Sequence, residues 1–209
     1  MLKRLFFTRR LPAFTLALLL LTVFVYTTPV QASFVSNSQI SNSQGFLQGE
    51  FAEVGVRANG AFGSTNVPTG FHQNVTNCLG FRVDRAFDGW DNPASVDDGD
   101  FFCPGSPFEG WQFKVGSNLA KNDNGQTGIS GAVSNLETLG SSQCVSWASA
   151  TAYNGVTVNQ RYCVPTDGQA LHTDVTIENT SSSAIDNIFF GVLHCSNDYF
   201  LLDACLRLP

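Results

Sequence analysis

Charge is scarce in this chain, and positive charge is scarcest. Only 13% of its 209 residues are Asp, Glu, Lys or Arg, and 11 basic residues face 17 acidic ones. Four of the basic ones (Lys3, Arg4, Arg9 and Arg10) lie in the first ten positions, and the first acidic residue is Glu50. Beyond residue 32 the balance is therefore 7 minus 17, or −10. Such a surface repels a phosphate backbone and argues against nucleic acid as a partner. Methionine occurs once against 18 phenylalanines, and long helical apolar periodicity is nearly absent, which points to an all-β protein. No two of the six cysteines stand two to four residues apart, as zinc sites usually require. There is no Gly-x-Ser-x-Gly elbow, no His-Glu-x-x-His and no phosphate-binding glycine loop, so the common hydrolase and nucleotide signatures are missing. Neither an internal repeat nor a low-complexity tail is present.

What is there begins with an address. The four basic residues precede an apolar run, Phe14 to Tyr26, broken only by two threonines; Pro29 and the small-residue end Val30-Gln31-Ala32 place cleavage before Ser33. The run is shorter than the roughly 20 residues of a spanning helix, which favours a removed secretion signal over a membrane anchor. Thr8-Arg9-Arg10 is followed by Pro12 and Ala13 rather than the apolar residues of twin-arginine export, so ordinary secretion is preferred. The expected organisation is a signal peptide over 1–32, a flexible Ser/Asn/Gln-rich lead-in over 33–48, one β-sandwich domain over 49–195 and a C-terminal tail over 196–209. The expected location is secreted or cell-surface, with membrane contact only through an uncleaved signal.

All six cysteines (Cys78, Cys103, Cys144, Cys163, Cys195 and Cys205) follow the cleavage point, and an even set behind a signal reads as disulfides. Asn154-Gly155, between Cys144–Tyr153 and Val156–Val164, is a strong hairpin signal because both residues accept positive φ. With a two-residue turn, Tyr153 faces Val156 and Cys163 faces Ser146, one diagonal step from Cys144. A small bulge would bring Cys144 and Cys163 together as a disulfide. After the Pro165–Gly168 turn, Leu171, Thr173, Val175 and Ile177 point one way and His172, Asp174, Thr176 and Glu178 the other, as in a half-buried strand. Asn187–Cys195 would complete a four-stranded meander. Phe51–Ala58, Ala61–Ser64, Leu79–Val83, Trp111–Val115 and Ile129–Val133 would supply the covering layer. The expected fold is an antiparallel β-sandwich, of jelly-roll type, with a closed barrel as the alternative. Phe200, Leu201, Ala204, Leu206 and Leu208 have the spacing of a short amphipathic helix, and a sandwich would more naturally continue past Cys195, so the chain reads as a fragment of something longer.

The segment most suggestive of chemistry is Asp84–Trp111. Asp84, Asp88, Asp97, Asp98 and Asp100 alternate with small and turn-forming residues, as oxygen ligands for Ca²⁺ do. Asp84, Asp88 and Gly89 fit positions one, five and six of a calcium loop, while Ala86 and Ser95 do not fit three and twelve; a solvated acidic loop is the alternative. Trp90, Phe101, Phe102, Glu109 and Trp111 combine rings with a carboxyl, a pattern suited to stacking on sugar faces, unless the rings plug the sandwich core. His172 and Asp174 share a strand face, whereas His72 and His194 have no local partner. Glu53, Glu109 and Glu178 are the carboxyls a glycosidase could use. Asn74-Val-Thr76 and Asn179-Thr-Ser181 are N-glycosylation sequons.

The stretches Gly49–Val56, Gly60–Ser64, Gly70-Phe71-His72, Leu79-Gly80-Phe81, Asp88-Gly89-Trp90, Gly99–Phe102 and Gly105–Trp111 resemble uncharacterised secreted bacterial proteins that carry β-sandwich modules. Val175–Ser181 is similar to a strand-turn stretch of repeated surface-protein sandwich domains. The resemblance implies a sandwich over about residues 49–194 and carries no activity. The expected function is a secreted, non-catalytic binding or adhesion module, calcium-assisted and directed at carbohydrate, with no assigned catalytic residue. The rivals are a jelly-roll hydrolase of glycosidase type and a structural fragment of a larger surface protein.

Overall fold

A computed structural model describes residues 34–72, 77–90, 99–103, 109–193 and 204–207. The secretion signal expected over 1–32 lies outside these residues. The described chain is all-β: β1 (Gln39–Ser41), β2 (Gln44–Gln48), β3 (Ala52–Val56), β4 (Ser64–Thr65), β5 (Cys78–Leu79), β6 (Phe81–Val83), β7 (Gly110–Val115) and β8 (Asn118–Asn122). There follow β9 (Gly131–Leu139), β10 (Ser142–Ser149), β11 (Val156–Pro165), β12 (His172–Asn179), β13 (Ile188–Leu193) and β14 (Ala204–Arg207). One sheet runs β1-β2-β3-β6 and a five-stranded sheet runs β14-β12-β11-β10-β9; β13-β7-β8 and β4-β5 make two smaller ones. Every pairing is antiparallel except β12 with β14.

The layers meet as a sandwich does. β2 and β3 lie against β9, β10 and β11, and the inward residues of both sheets form one core that includes Leu47, Val54, Val56, Val145, Val158 and Val164. Trp147 on β10 and Trp111 on β7 meet edge to face at 5.1 Å and tie the three-stranded sheet to the same core. Gly131 makes room for this: a Cβ there would stand 2.2 Å from Trp147 Cζ2. The asparagine-rich composition has a structural use. Of the eight non-glycine residues with positive φ among those described, six are asparagines, which tolerate the left-handed conformation that tight turns and bulges demand.

The hairpin at Asn154-Gly155 forms as its turn residues require, with φ of 48° and 83° and a Tyr153–Val156 pair. From Ala148↔Asn159 to Tyr153↔Val156 the first strand advances five residues and the second three, so the first carries two extra. Beyond that irregularity Cys144 stands directly opposite Cys163 with Cα atoms 4.2 Å apart, and the two form the expected disulfide. A second disulfide joins Cys78 and Cys103.

Four expectations need correction. The segment read as a flexible lead-in contains the β1–β2 hairpin, turned by Asn42 and Ser43, both at positive φ. The C-terminal meander is β9 to β12, one strand earlier than expected. The strand expected from Ile129 begins at Gly131 and pairs with β10, while β13 leaves to pair with β7, where Phe190 stacks on Trp111. Part of the segment expected to be a terminal helix, Ala204–Arg207, is instead a strand parallel to β12.

Candidate functional site

The Asp84–Trp111 segment is where the sequence suggests a sugar-facing, calcium-holding surface, and two of its expected ligand rings, Phe102 and Trp111, turn inward. Trp111 and Phe102 are 2% and 3% exposed, and Phe102 stacks on Phe62 with centroids 4.7 Å apart. Phe101 is half-buried against Phe81. Trp90 is half-buried and held on several sides. Its ring lies 4.5 Å from the His72 imidazole and 9° from parallel to it, its Nε1 donates to Glu50 O at 3.0 Å, and the Arg82 guanidinium sits 5.5 Å from its centre. These contacts fasten the loop to the sheet rather than present an open stacking platform.

The carboxylates are likewise engaged with backbone. Asp84 is fully buried, and its Oδ2 accepts from Gly89 N at 2.9 Å. Asp100 accepts from the backbone N–H groups of Gly80, Phe81 and Phe102, which closes the β5–β6 junction. Asp88 is exposed, and Asp97 and Asp98 lie outside the described residues. Among the described residues no three His, Cys, Asp or Glu side chains stand close enough to hold a metal ion. The expected calcium loop thus lies partly outside the described residues.

Two buried acids remain beside this loop. Glu109 is 3% exposed, and its Oε2 has no hydrogen-bond partner among the described residues. Burial first, and the charge of Asp100 second, push its pKa up to about 7. Burial raises Asp100 to about 6, while its backbone N–H bonds pull the other way. Asp100 therefore loses its proton first, and Glu109 must ionise against an existing negative charge.

His72, which had no partner in the local sequence, finds one on β3. Glu53, with no exposed surface, accepts Gln48 Nε2 at 2.7 Å, the His72 backbone N–H at 2.7 Å and the His72 ring at Nδ1 at 2.9 Å. A carboxylate facing Nδ1 places the ring proton there. Arg82 Nη1 adds a bond to His72 O at 2.6 Å. The network clasps the loop before β5 to the sheet. Glu53 thus has an imidazole, not a second carboxyl, beside it, and Glu178 is exposed on β12, far along the sequence from both other candidates.

Among the described residues, a feature with room for a ligand lies elsewhere, on the outer face of the five-stranded sheet. There the register brings Ser146 opposite Arg161 and Arg161 opposite Asp174; in the next row Ala148 faces Asn159 and Asn159 faces Thr176. Ser146 and Ala148 are short, so the face dips along β10 between longer polar side chains on β11 and β12 and those of β9. The result is an open groove of about 390 Å³, within the size range of small-molecule sites. Its β9 wall is shaped by a bulge. The pairs Glu137↔Cys144 and Ser134↔Ser146 leave one extra residue on β9, and Asn135 there takes φ +56°. Asn135 and Glu137 both line the groove.

The opposite wall is fixed by a charged relay. Asp174 Oδ2 accepts Arg161 Nη2 at 2.5 Å and Nε at 3.2 Å, and its Oδ1 meets His172 Nε2 at 2.9 Å. Arg161's hydrogen bond is the main cause that holds the Asp174 carboxyl below its usual range, with His172 adding to it. The guanidinium is thereby locked in place while 43% of the side chain stays exposed.

The outward polar face of β12 was legible from its alternation, but the groove was not. It depends on which short residues of β10 fall beside which long ones of β11, and so on a register that the irregularity after Ala148 displaces by two. The alternation Thr157, Asn159, Arg161 against buried Val156, Val158 and Gln160 was the available signal. No family model, curated protein or solved structure matches the chain.

Proposed function

We propose that this chain is an extracellular, non-catalytic binding module that holds a saccharide in the groove across its five-stranded sheet. The groove is the observation that carries the reading: an open trough lined by amide, hydroxyl, carboxylate and guanidinium groups whose positions are set by strand register and by the Arg161–Asp174–His172 relay. Sugar hydroxyls occur in neighbouring pairs that both donate and accept. Planar side chains such as Asn, Asp and Arg meet such pairs with two parallel hydrogen bonds, and pre-fixed groups lose little entropy on binding. Two disulfides support an oxidising, extracellular setting, in line with the basic and apolar leader in the sequence. A hydrolytic reading draws less support, because Glu53 already accepts three donors.

Ser146→Trp and Ala148→Trp each fill the trough from an outward position and leave the core untouched. Immobilised-glycan retention of wild type and both variants, with melts to confirm folding, tests the proposal. Retention by wild type and at least about a tenfold loss in both filled variants is expected, corresponding to about 1.4 kcal/mol. Undiminished retention by folded, filled variants overturns the site, and no retention of any glycan by wild type overturns the reading.

A further inference from the structure

We infer that the groove is built for a saccharide carrying a free amine, whose cationic nitrogen docks on Glu137. This rests on the saccharide reading and adds the chemical class of the sugar. Three charged side chains line the trough: Glu137, Arg161 and Asp174. Arg161 and Asp174 satisfy one another through two hydrogen bonds, with His172 on the remaining Asp174 oxygen, so that wall has little charge left to offer. Among the described residues Glu137 makes no side-chain hydrogen bond or ion pair, and it is half-buried at the rim. It is the one uncompensated charge in the groove, and it is negative.

The backbone places it there. The β9 bulge, with Asn135 in the left-handed conformation, shifts the register so that Glu137 stands opposite Cys144, one row from Ser146 on the trough floor. Bulges commonly re-aim side chains beside binding sites. An ammonium group at the rim gains a charge-assisted bond to Glu137 and, through the net charge of −10 beyond residue 32, a favourable approach. A uronate or sulfated sugar meets repulsion from the same features. A neutral sugar can use the amide and hydroxyl groups alone, and so binds more weakly.

The test compares three probes on the intact oxidised protein: a β-1,4-linked glucosamine oligomer, its fully N-acetylated counterpart and a glucose oligomer of equal length. Binding is measured by calorimetry at about pH 6, below the ordinary range of an α-amine. Wild type should prefer the glucosamine oligomer over the N-acetylated one by about tenfold or more, the size of a charged hydrogen bond. Glu137→Gln should erase that preference while keeping the affinity for the acetylated and glucose oligomers. Asp167→Asn makes the same change in net charge on an exposed turn outside the groove and should keep the preference. Equal weakening by both variants would mean that net charge alone attracts the amine, and would overturn the inference. So would equal binding of all three probes by wild type, which leaves the saccharide reading standing. No binding of any probe in the groove would overturn both.

Discussion

Replacing Glu109 by Gln should stabilise the protein above neutral pH and leave it nearly unchanged in mild acid. The carboxyl is 3% exposed, and one of its oxygens is unpartnered among the described residues. In the folded chain it keeps its proton up to about pH 7, against 4.5 for an ordinary glutamate. Between those values the folded state binds a proton that the unfolded state has released, so stability falls as pH rises through the window and is fully present only below it. At about 1.4 kcal/mol per pH unit the loss is about 3 kcal/mol, which for a domain of this size is about 6–12 °C in Tm. Gln carries no charge to desolvate and escapes that loss. Asp100 adds a slope of the same sign between 3.8 and about 6, and the variant retains it, so the informative quantity is the difference between variant and wild type at each pH. Thermal melts at about pH 4.5 and pH 8.5 read it directly. A variant less stable than wild type at the higher pH would show that the carboxylate is held by a favourable partner, and would refute the reasoning.

Glu53→Ala strips the acceptor from Gln48 Nε2, His72 N and His72 Nδ1 together, and should cost at least about 2 kcal/mol in urea unfolding, since each buried donor left unsatisfied costs about 1–3 kcal/mol; a loss below about 1 kcal/mol would show that the network does not clasp the loop. Gly131→Ala places a methyl 2.2 Å from Trp147 Cζ2 and 2.4 Å from Ala148 O, an overpacking expected to cost about 1–3 kcal/mol and to shift the Trp147 fluorescence. A neutral outcome there would contradict the packing of β9 on β10.

Fold class was legible because its signals are local. Alternation gave β12 its buried and exposed faces, and Asn154-Gly155 gave the hairpin and, through it, the Cys144–Cys163 pairing. The β1–β2 hairpin escaped notice because Asn42-Ser43 is a weaker turn signal than Asn-Gly and sits in a polar stretch. Partners not joined by a recognisable turn were not legible. His72 meets Glu53 across 19 residues, and Cys78 meets Cys103 only because the β4–β5 and β6 region folds back. The described part of the Asp84–Trp111 segment shows a structural use for the same residue types. Rings and carboxylates serve sandwich closure as readily as ligand binding, and here Phe102 and Trp111 fill core while Asp84 and Asp100 satisfy backbone N–H groups that the turns would otherwise leave bare. The groove needs four strands in register before its shape exists.

We propose that ligand recognition belongs to the outer face of the five-stranded sheet, with the Asp84–Trp111 loop as the rival site. Amide chemical-shift mapping on isotope-labelled protein, titrated with the glucosamine oligomer, separates the two. Binding in the groove should concentrate shifts at Asn135–Glu137, Ser146–Ala148 and Asn159–Arg161, with Glu50, His72 and Trp90 unmoved. Shifts gathered around Trp90 and His72, with the groove silent, would contradict it.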